Sequence, residues 1–260
     1  MNFDDLDARM RVYETAHDLC VPPGIFMVAR IDGRGFTRLT KEVHPFEAPF
    51  DIRVRDYMAG TVEHLMSCGF RVLFGYTQSD EISLLLDRDE SSFGRKLRKL
   101  ISILAGEASA KFSLLLGDLA AFDCRISQLP DLERVVDYFR WRAEDARRNA
   151  LSAHCYWALR RQGRDAREAD RELSGLSIET KIERLSAQAG LDFHSLPRWQ
   201  TRGTGVYWED YDKEAVNPVT DETVTAVRRR LKRDMDLPAG EAYSDLIRKV
   251  AFSEDARRER

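Results

Sequence analysis

The chain has 260 residues, enough for one sizeable core, and its 41 basic and 44 acidic side chains leave a formal charge of −3. That balance excludes a globally basic nucleic-acid binder, so any nucleic-acid surface must be a local patch. Cys20, Cys68, Cys124 and Cys155 form no Cys-x-x-Cys pair, which argues against zinc or a disulfide framework and for reduced cytosolic thiols. The acidic start, Met1-Asn-Phe-Asp-Asp-Leu-Asp7, has no continuous apolar segment, so neither a signal peptide nor a membrane span is expected and a cytoplasmic location is.

Apolar residues at helical spacing predict a helix over 3–16, stopped by Val21-Pro-Pro-Gly24. Phe26 to Ile31 reads as a strand that turns through Asp32-Gly33-Arg34-Gly35, where glycine permits a tight turn and close backbone approach. The loop from His44 to Asp51 is rich in aromatics and proline, and a helix over 52–68 follows with Asp51 as its N-cap. Val72, Phe74 and Tyr76 alternate into Gln78-Ser79-Asp80-Glu81, and Ile82, Leu84 and Leu86 alternate out, which predicts a hairpin with two carboxylates at its tip.

Ser91 to Leu116 reads as one long helix, with Lys96 and Lys99 three apart on one face. Ala121 to Ser127 is the next strand candidate, and Asp131 opens a helix in which Tyr138 and Trp141 are expected mostly in the core. The charged stretch 162–172 reads as an exposed helix or linker, and 198–208 as a turn and strand with Tyr207 and Trp208 packed inside. Arg228-Arg-Arg-Leu-Lys-Arg233 and Arg257-Arg-Glu-Arg260 form basic clusters that either touch RNA or solvate a frayed tail.

If the first strand and the hairpin are neighbours, Asp32 and Asp80 face each other, which is unfavourable unless a cation lies between them. Carboxylates and a backbone carbonyl are hard ligands that suit Mg²⁺ better than zinc, and paired ions of this kind serve phosphoryl transfer. Spacing alone leaves open a plain turn at Asp32 and a solvated hairpin tip at Asp80-Glu81.

Arg30-Ile-Asp-Gly-Arg-Gly-Phe36, Tyr76-Thr-Gln-Ser-Asp-Glu-Ile-Ser83 and Phe122-Asp-Cys-Arg125, in this order, resemble the tRNA(His) guanylyltransferase family and its bacterial and archaeal Thg1-like relatives. The likeness continues through Trp141-Arg142, Asp145 to Asn149, Lys181, Glu183 and Arg202-Gly-Thr204. It implies an α/β (α+β) fold: a polymerase-like palm, an antiparallel sheet flanked by helices, with the catalytic core over 1–135. Residues 136–260 would add helices and strands that complete the same domain and its RNA surface. The activity implied is addition of nucleotides to the 5′ end of tRNA, in the 3′-to-5′ direction, with GTP and ATP as substrates, two Mg²⁺ ions and a homotetramer built as a dimer of dimers.

Carried over position by position, Asp32, the Gly33 carbonyl and Asp80 would hold the ions, with Glu81 assisting. Arg30, Arg34, Gly35, Phe36, Lys41, Asp51, Ser79, Lys96, Lys99, Arg125 and Asn149 would meet nucleotide, and Arg147, Arg148, Lys181 and Arg202 would meet RNA. Two departures stand out. Phe46-Glu-Ala-Pro-Phe-Asp51 puts Ala48 where the family has a triphosphate-holding lysine, leaving Lys41 as the substitute. Arg147-Arg-Asn-Ala-Leu-Ser-Ala153 replaces the eukaryotic His-Ile-Asn-Asn-Leu-Tyr-Asn and keeps Asn149 and Leu151, as in the branch that repairs truncated tRNA against a template. The alternatives are a palm-type nucleotide cyclase or NTPase, and an RNA-binding module without turnover.

Overall fold

The computed structural model describes residues 2–216 and 223–252. Asn2 opens α1 (Phe3–Thr15) by accepting the Asp5 amide at 2.8 Å, yet that helix buries none of its residues. Phe3, Leu6, Met10 and Tyr13 recur at helical spacing along it and are exposed. β1 (Phe26–Arg34) runs three residues beyond the predicted strand, because Asp32, Gly33 and Arg34 still pair with Asp123, Phe122 and Ala121. Gly33 answers a packing need there: a β-carbon on it would lie 2.4 Å from the Phe36 ring. Gly35, at φ +70°, then turns the chain into the short helix α2 (Phe36–Arg38).

Asp51 caps α3 (Ile52–Leu65) as expected, accepting from the amides of Arg53 at 2.7 Å and Glu47 at 2.8 Å. The hairpin is present as β2 (Val72–Gln78) and β3 (Glu81–Leu86), with Ser79-Asp80 as its two-residue tip and Ser79 at φ +55°. The next helix, α4 (Leu97–Leu116), begins six residues later than the pattern suggests. Arg95 is the reason. It is buried at φ +58° and donates to the carbonyls of Val21, Ile25, Arg88 and Glu90, so its backbone cannot continue a helix.

β4 (Ala121–Leu129) precedes α5 (Leu132–Arg161), which Asp131 caps by accepting the Arg134 amide at 2.8 Å. The charged stretch forms α6 (Ala166–Leu173), closed by a reciprocal Asp165–Glu168 capping box. α7 (Ile178–Ala189) and α8 (Arg198–Arg202) follow. β5 (Thr204–Val216), β6 (Thr223–Asp234) and α9 (Glu241–Phe252) complete the described chain.

The six strands form one antiparallel sheet in the order β4-β1-β3-β2-β5-β6. Side chains alternate between its faces, so Met27, Ala29 and Ile31 pack towards α3 and α4 while Phe26 and Val28 pack towards α5 and α9. This helix–sheet–helix sandwich is the mixed fold anticipated, with Tyr207 buried in it. The basic run 228–233 is an ordered strand, not a frayed tail. Its charges are answered across the ladder and by α3: Arg230 pairs with Glu209 at 2.7 Å, Arg229 with Asp210 at 3.6 Å and Arg233 with Glu63 at 2.8 Å. The second basic cluster, 257–260, lies outside the described residues.

Candidate active site

β1 and β3 are adjacent, with Asp32 opposite Glu81, and the Gly33 amide donates to the Asp80 carbonyl at 3.0 Å. Strand pairing therefore brings Asp32, the Gly33 peptide and Asp80 to one end of the sheet. Burial pushes the Asp80 carboxyl up, and repulsion from Asp32 adds to it, while the Ser79 hydroxyl donates to Asp80 at 3.0 Å and opposes both. Among the described residues no group of three or more His, Cys, Asp or Glu side chains is placed to hold a metal ion. What the sheet end does offer is two neighbouring carboxylates, and a hard divalent cation would relieve the repulsion between Asp32 and Asp80.

Glu81 is held differently. Arg142, reaching in from α5, donates to both its oxygens at 2.6 and 2.7 Å and also to Asp145 at 2.9 Å; Arg30 pairs with Glu81 at 2.5 Å. Burial still pushes the Glu81 carboxyl up, against the pull of Arg142 and Arg30. With both oxygens occupied by guanidinium, Glu81 acts as the anchor between strand and helix. The Nε of Arg30 is buried without a hydrogen-bond partner.

Several other expected residues gather nearby. Arg125 lies 3.8 Å from Asp32 and 3.7 Å from Asp123. Asn149 donates to Asp145 at 3.3 Å and faces the same cleft as Asp32 and Asp80. Lys41 and Asp51 line an adjoining cleft that also reaches Ser79 and Asp80. Burial pulls the Lys41 ammonium down, partly offset by Asp51, and its Nζ lies 5.4 Å from the Trp157 ring centre. Asp51 is committed to its cap and to Arg53, which hold its carboxyl down at about 2.

The remaining expected nucleotide contacts are packed, turned outward or placed far from the acidic pair. The Phe36 ring is buried against Phe112 and Phe122, at centroid distances of 5.1 and 5.0 Å, and also lines the Lys41 cleft. Arg34 is exposed, and Gly35 serves the turn. Lys96 precedes its helix and pairs with Asp18 at 2.6 Å, while Lys99 sits over Phe93. Both belong to the end of the sheet where Arg95 binds the Ile25 carbonyl, seven strand residues or about 23 Å from Asp32.

Of the expected RNA contacts, Arg148 is exposed on α5 and Arg147 pairs loosely with Glu144 at 3.5 Å. Lys181 donates to the Ser152 hydroxyl at 3.0 Å, and Arg202 to the Leu237 carbonyl at 3.0 Å. Sequence reading did not join Phe46, Phe50 and Trp199 into the aromatic wall that they form along the Lys41 cleft, where the Arg55 guanidinium lies 4.9 Å from the Trp199 ring centre. The only signal was the aromatic, proline-rich composition of 44–51. It also left Arg142 and Asp145 without a role; their partners come from a distant hairpin.

An antiparallel sheet with two carboxylates at adjacent strand ends, beside a cleft with aromatic walls, defines a palm-type α/β protein with an acidic centre. The family described as tRNAHis guanylyltransferase (Thg1) matches residues 7–130, and the Thg1 C terminal domain matches residues 133–248. A tRNA(His) guanylyltransferase of Debaryomyces hansenii is 31% identical over 205 residues, covering 74% of this chain and 77% of the relative. The probable tRNA(His) guanylyltransferase of Drosophila melanogaster is 26% identical over 80% of this chain and 78% of its own length. Among solved structures, a bacterial Thg1-like protein in complex with ATP superposes with a TM-score of 0.76 at 26% identity, covering 97% of this chain and 100% of the other. The tRNA(His) guanylyltransferase of Saccharomyces cerevisiae shares the fold at 22% identity, with a TM-score of 0.69, over 84% of this chain and 95% of that one. The chain belongs to the tRNA(His) guanylyltransferase family.

Proposed function

We infer that the protein is a nucleotidyltransferase that adds nucleotides to the 5′ end of tRNA in the 3′-to-5′ direction. The observation that carries this reading is the meeting of Asp32 and Asp80 at one sheet end, next to a cleft able to receive a nucleotide. GTP and ATP are the substrates implied by relatives solved with each. Asp32, Asp80 and the Gly33 carbonyl would hold two Mg²⁺ ions, which when bound supply positive charge to the attacking and leaving oxygens. Arg125 stands beside Asp32 to take up charge on a departing phosphate, and Lys41 offers an ammonium where Ala48 offers none. Phe46, Phe50 and Trp199 supply flat faces for a base. Glu81, Arg142 and Arg30 fix the hairpin tip so that Asp80 keeps its place.

The substitutions over 147–153 favour template-dependent repair of truncated tRNA over addition of a single untemplated G. The homotetramer expected for the family is supported by the exposed apolar stripe of α1 and by Lys96 and Lys99, which need a neighbouring chain to reach a triphosphate. Among the described residues no helix is long and apolar enough to cross a membrane, and a tRNA substrate fits a cytoplasmic location. Incubation with Mg²⁺, labelled GTP and 5′-truncated tRNAs that differ opposite the missing position tests the reading. Extension that follows the opposing base is expected. Hydrolysed or cyclised nucleotide without extension, or binding alone, would overturn it.

A further inference from the structure

Trp141 departs from its sequence reading: it is not a core residue but 56% exposed. Its ring is nevertheless fixed. The Arg142 guanidinium lies 4.6 Å from the ring centre, and Tyr138 meets the ring edge-on at 5.8 Å. Arg142 is itself locked to Glu81 and Asp145, so an exposed indole is rigidly tied to the acidic site, one helix residue away from its anchor. An exposed aromatic that contributes little burial and is held by a guanidinium suits stacking of a base, since its conformational entropy is already spent.

The cleft below the ring is basic. Arg140, Arg147 and Arg202 line it together with Trp141, against two acids, Asp137 and Glu144, and it shares no lining residue with the Lys41 cleft. Burial, Arg198 and Arg147 hold the Arg202 guanidinium below its ordinary range against the opposing pull of Asp236. Crowded guanidiniums beside a rigid, exposed indole complement one ligand chemistry: a base attached to phosphodiester charge. Asp32 and Asp80 do not line this cleft, so it is not the position of the reacting nucleotide.

We propose that Trp141, with Arg140, Arg147 and Arg202, forms a second nucleotide subsite that stacks an unpaired nucleotide of the RNA substrate while Asp32 and Asp80 act on its 5′ end. The inference rests on the tRNA reading above. Fluorescence anisotropy of the full chain with a tRNA bearing unpaired acceptor-end nucleotides, and with a blunt hairpin of the same helix, tests it. Trp141→Ala is expected to weaken tRNA binding about 5- to 100-fold, the range of one lost base stack, and Trp141→Phe to retain most of the affinity. Neither variant should change affinity for the blunt hairpin or for GTP. Arg147→Gln should lower the salt dependence of tRNA binding by about one unit of slope.

Unchanged tRNA affinity in Trp141→Ala would overturn the subsite. So would equal losses for tRNA, hairpin and GTP, which would make Trp141 a buttress for Arg142, or a loss for GTP alone, which would assign the indole to the free nucleotide. A wild-type chain with no affinity for any tRNA would instead overturn the functional reading and the subsite with it.

Discussion

At the end of the sheet where Arg95 sits, the buried charge is answered within the chain. Arg95 is buried but donates to four carbonyls, and Arg98 and Lys96 hold the Asp18 carboxyl down at about 2. At the opposite end, burial pushes Asp80 and Glu81 up, Asp32 repels Asp80, and the Arg30 Nε lacks a partner. Left-handed backbone occurs at both ends, at Ser79 with φ +55° and Arg95 with φ +58°, so conformational strain does not separate them. Electrostatics does: one end is finished by the chain itself, and the other is left for something to bind.

The sharpest way to break that contrast is to remove the acids. Asp80→Ala should lower 5′ extension at least about a thousandfold while the circular dichroism spectrum stays native. Retained activity would end the role assignment. Next in size, Arg142→Ala would leave Glu81 buried with Arg30 alone, costing about 3–5 kcal/mol in urea unfolding. Phe36→Ala, beneath the Lys41 cleft, should cost a similar ~3–5 kcal/mol as a core truncation, read in urea unfolding.

A subtler test concerns the satisfied end. If Lys96 serves a neighbour's site, Asp80→Ala and Lys96→Ala chains mixed and refolded together should extend tRNA faster than either alone, because some oligomers then hold one intact site. Additive, unrescued activities would confine Lys96 to its Asp18 pair. The smallest effect belongs to Asp51→Ala, about 0.5–2 kcal/mol for a lost cap. Its carboxyl is held down from 3.8 to about 2 in the folded chain, chiefly by the Arg53 side chain. It therefore stabilises above about pH 4, and the gap to wild type should close as pH falls towards 2 in thermal melts.

The hairpin was legible because its apolar residues alternate on both sides of a polar tip, and α3 because an aspartate precedes it. Adjacency of Asp32 and Asp80 was legible through the family resemblance; spacing alone also suited two ordinary turns. The start of α4 was misplaced because a run of basic residues reads as a helix face. What delays that helix to Leu97 is Arg95 reaching carbonyls up to 74 residues away, which no local pattern records. The basic strand β6 was equally hidden: 228–233 has no apolar alternation, and its partners Glu209 and Glu63 lie far back in the chain. Trp141 fits a helical period, but period gives a side chain's direction without saying whether anything covers it.

The central claim is that Asp32 and Asp80 converge to hold divalent cations. Anomalous diffraction from crystals soaked in Mn²⁺ with GTP measures this directly. The account predicts manganese peaks touching both carboxylates and the Gly33 carbonyl; peaks confined to other residues, or none between Asp32 and Asp80, would contradict it.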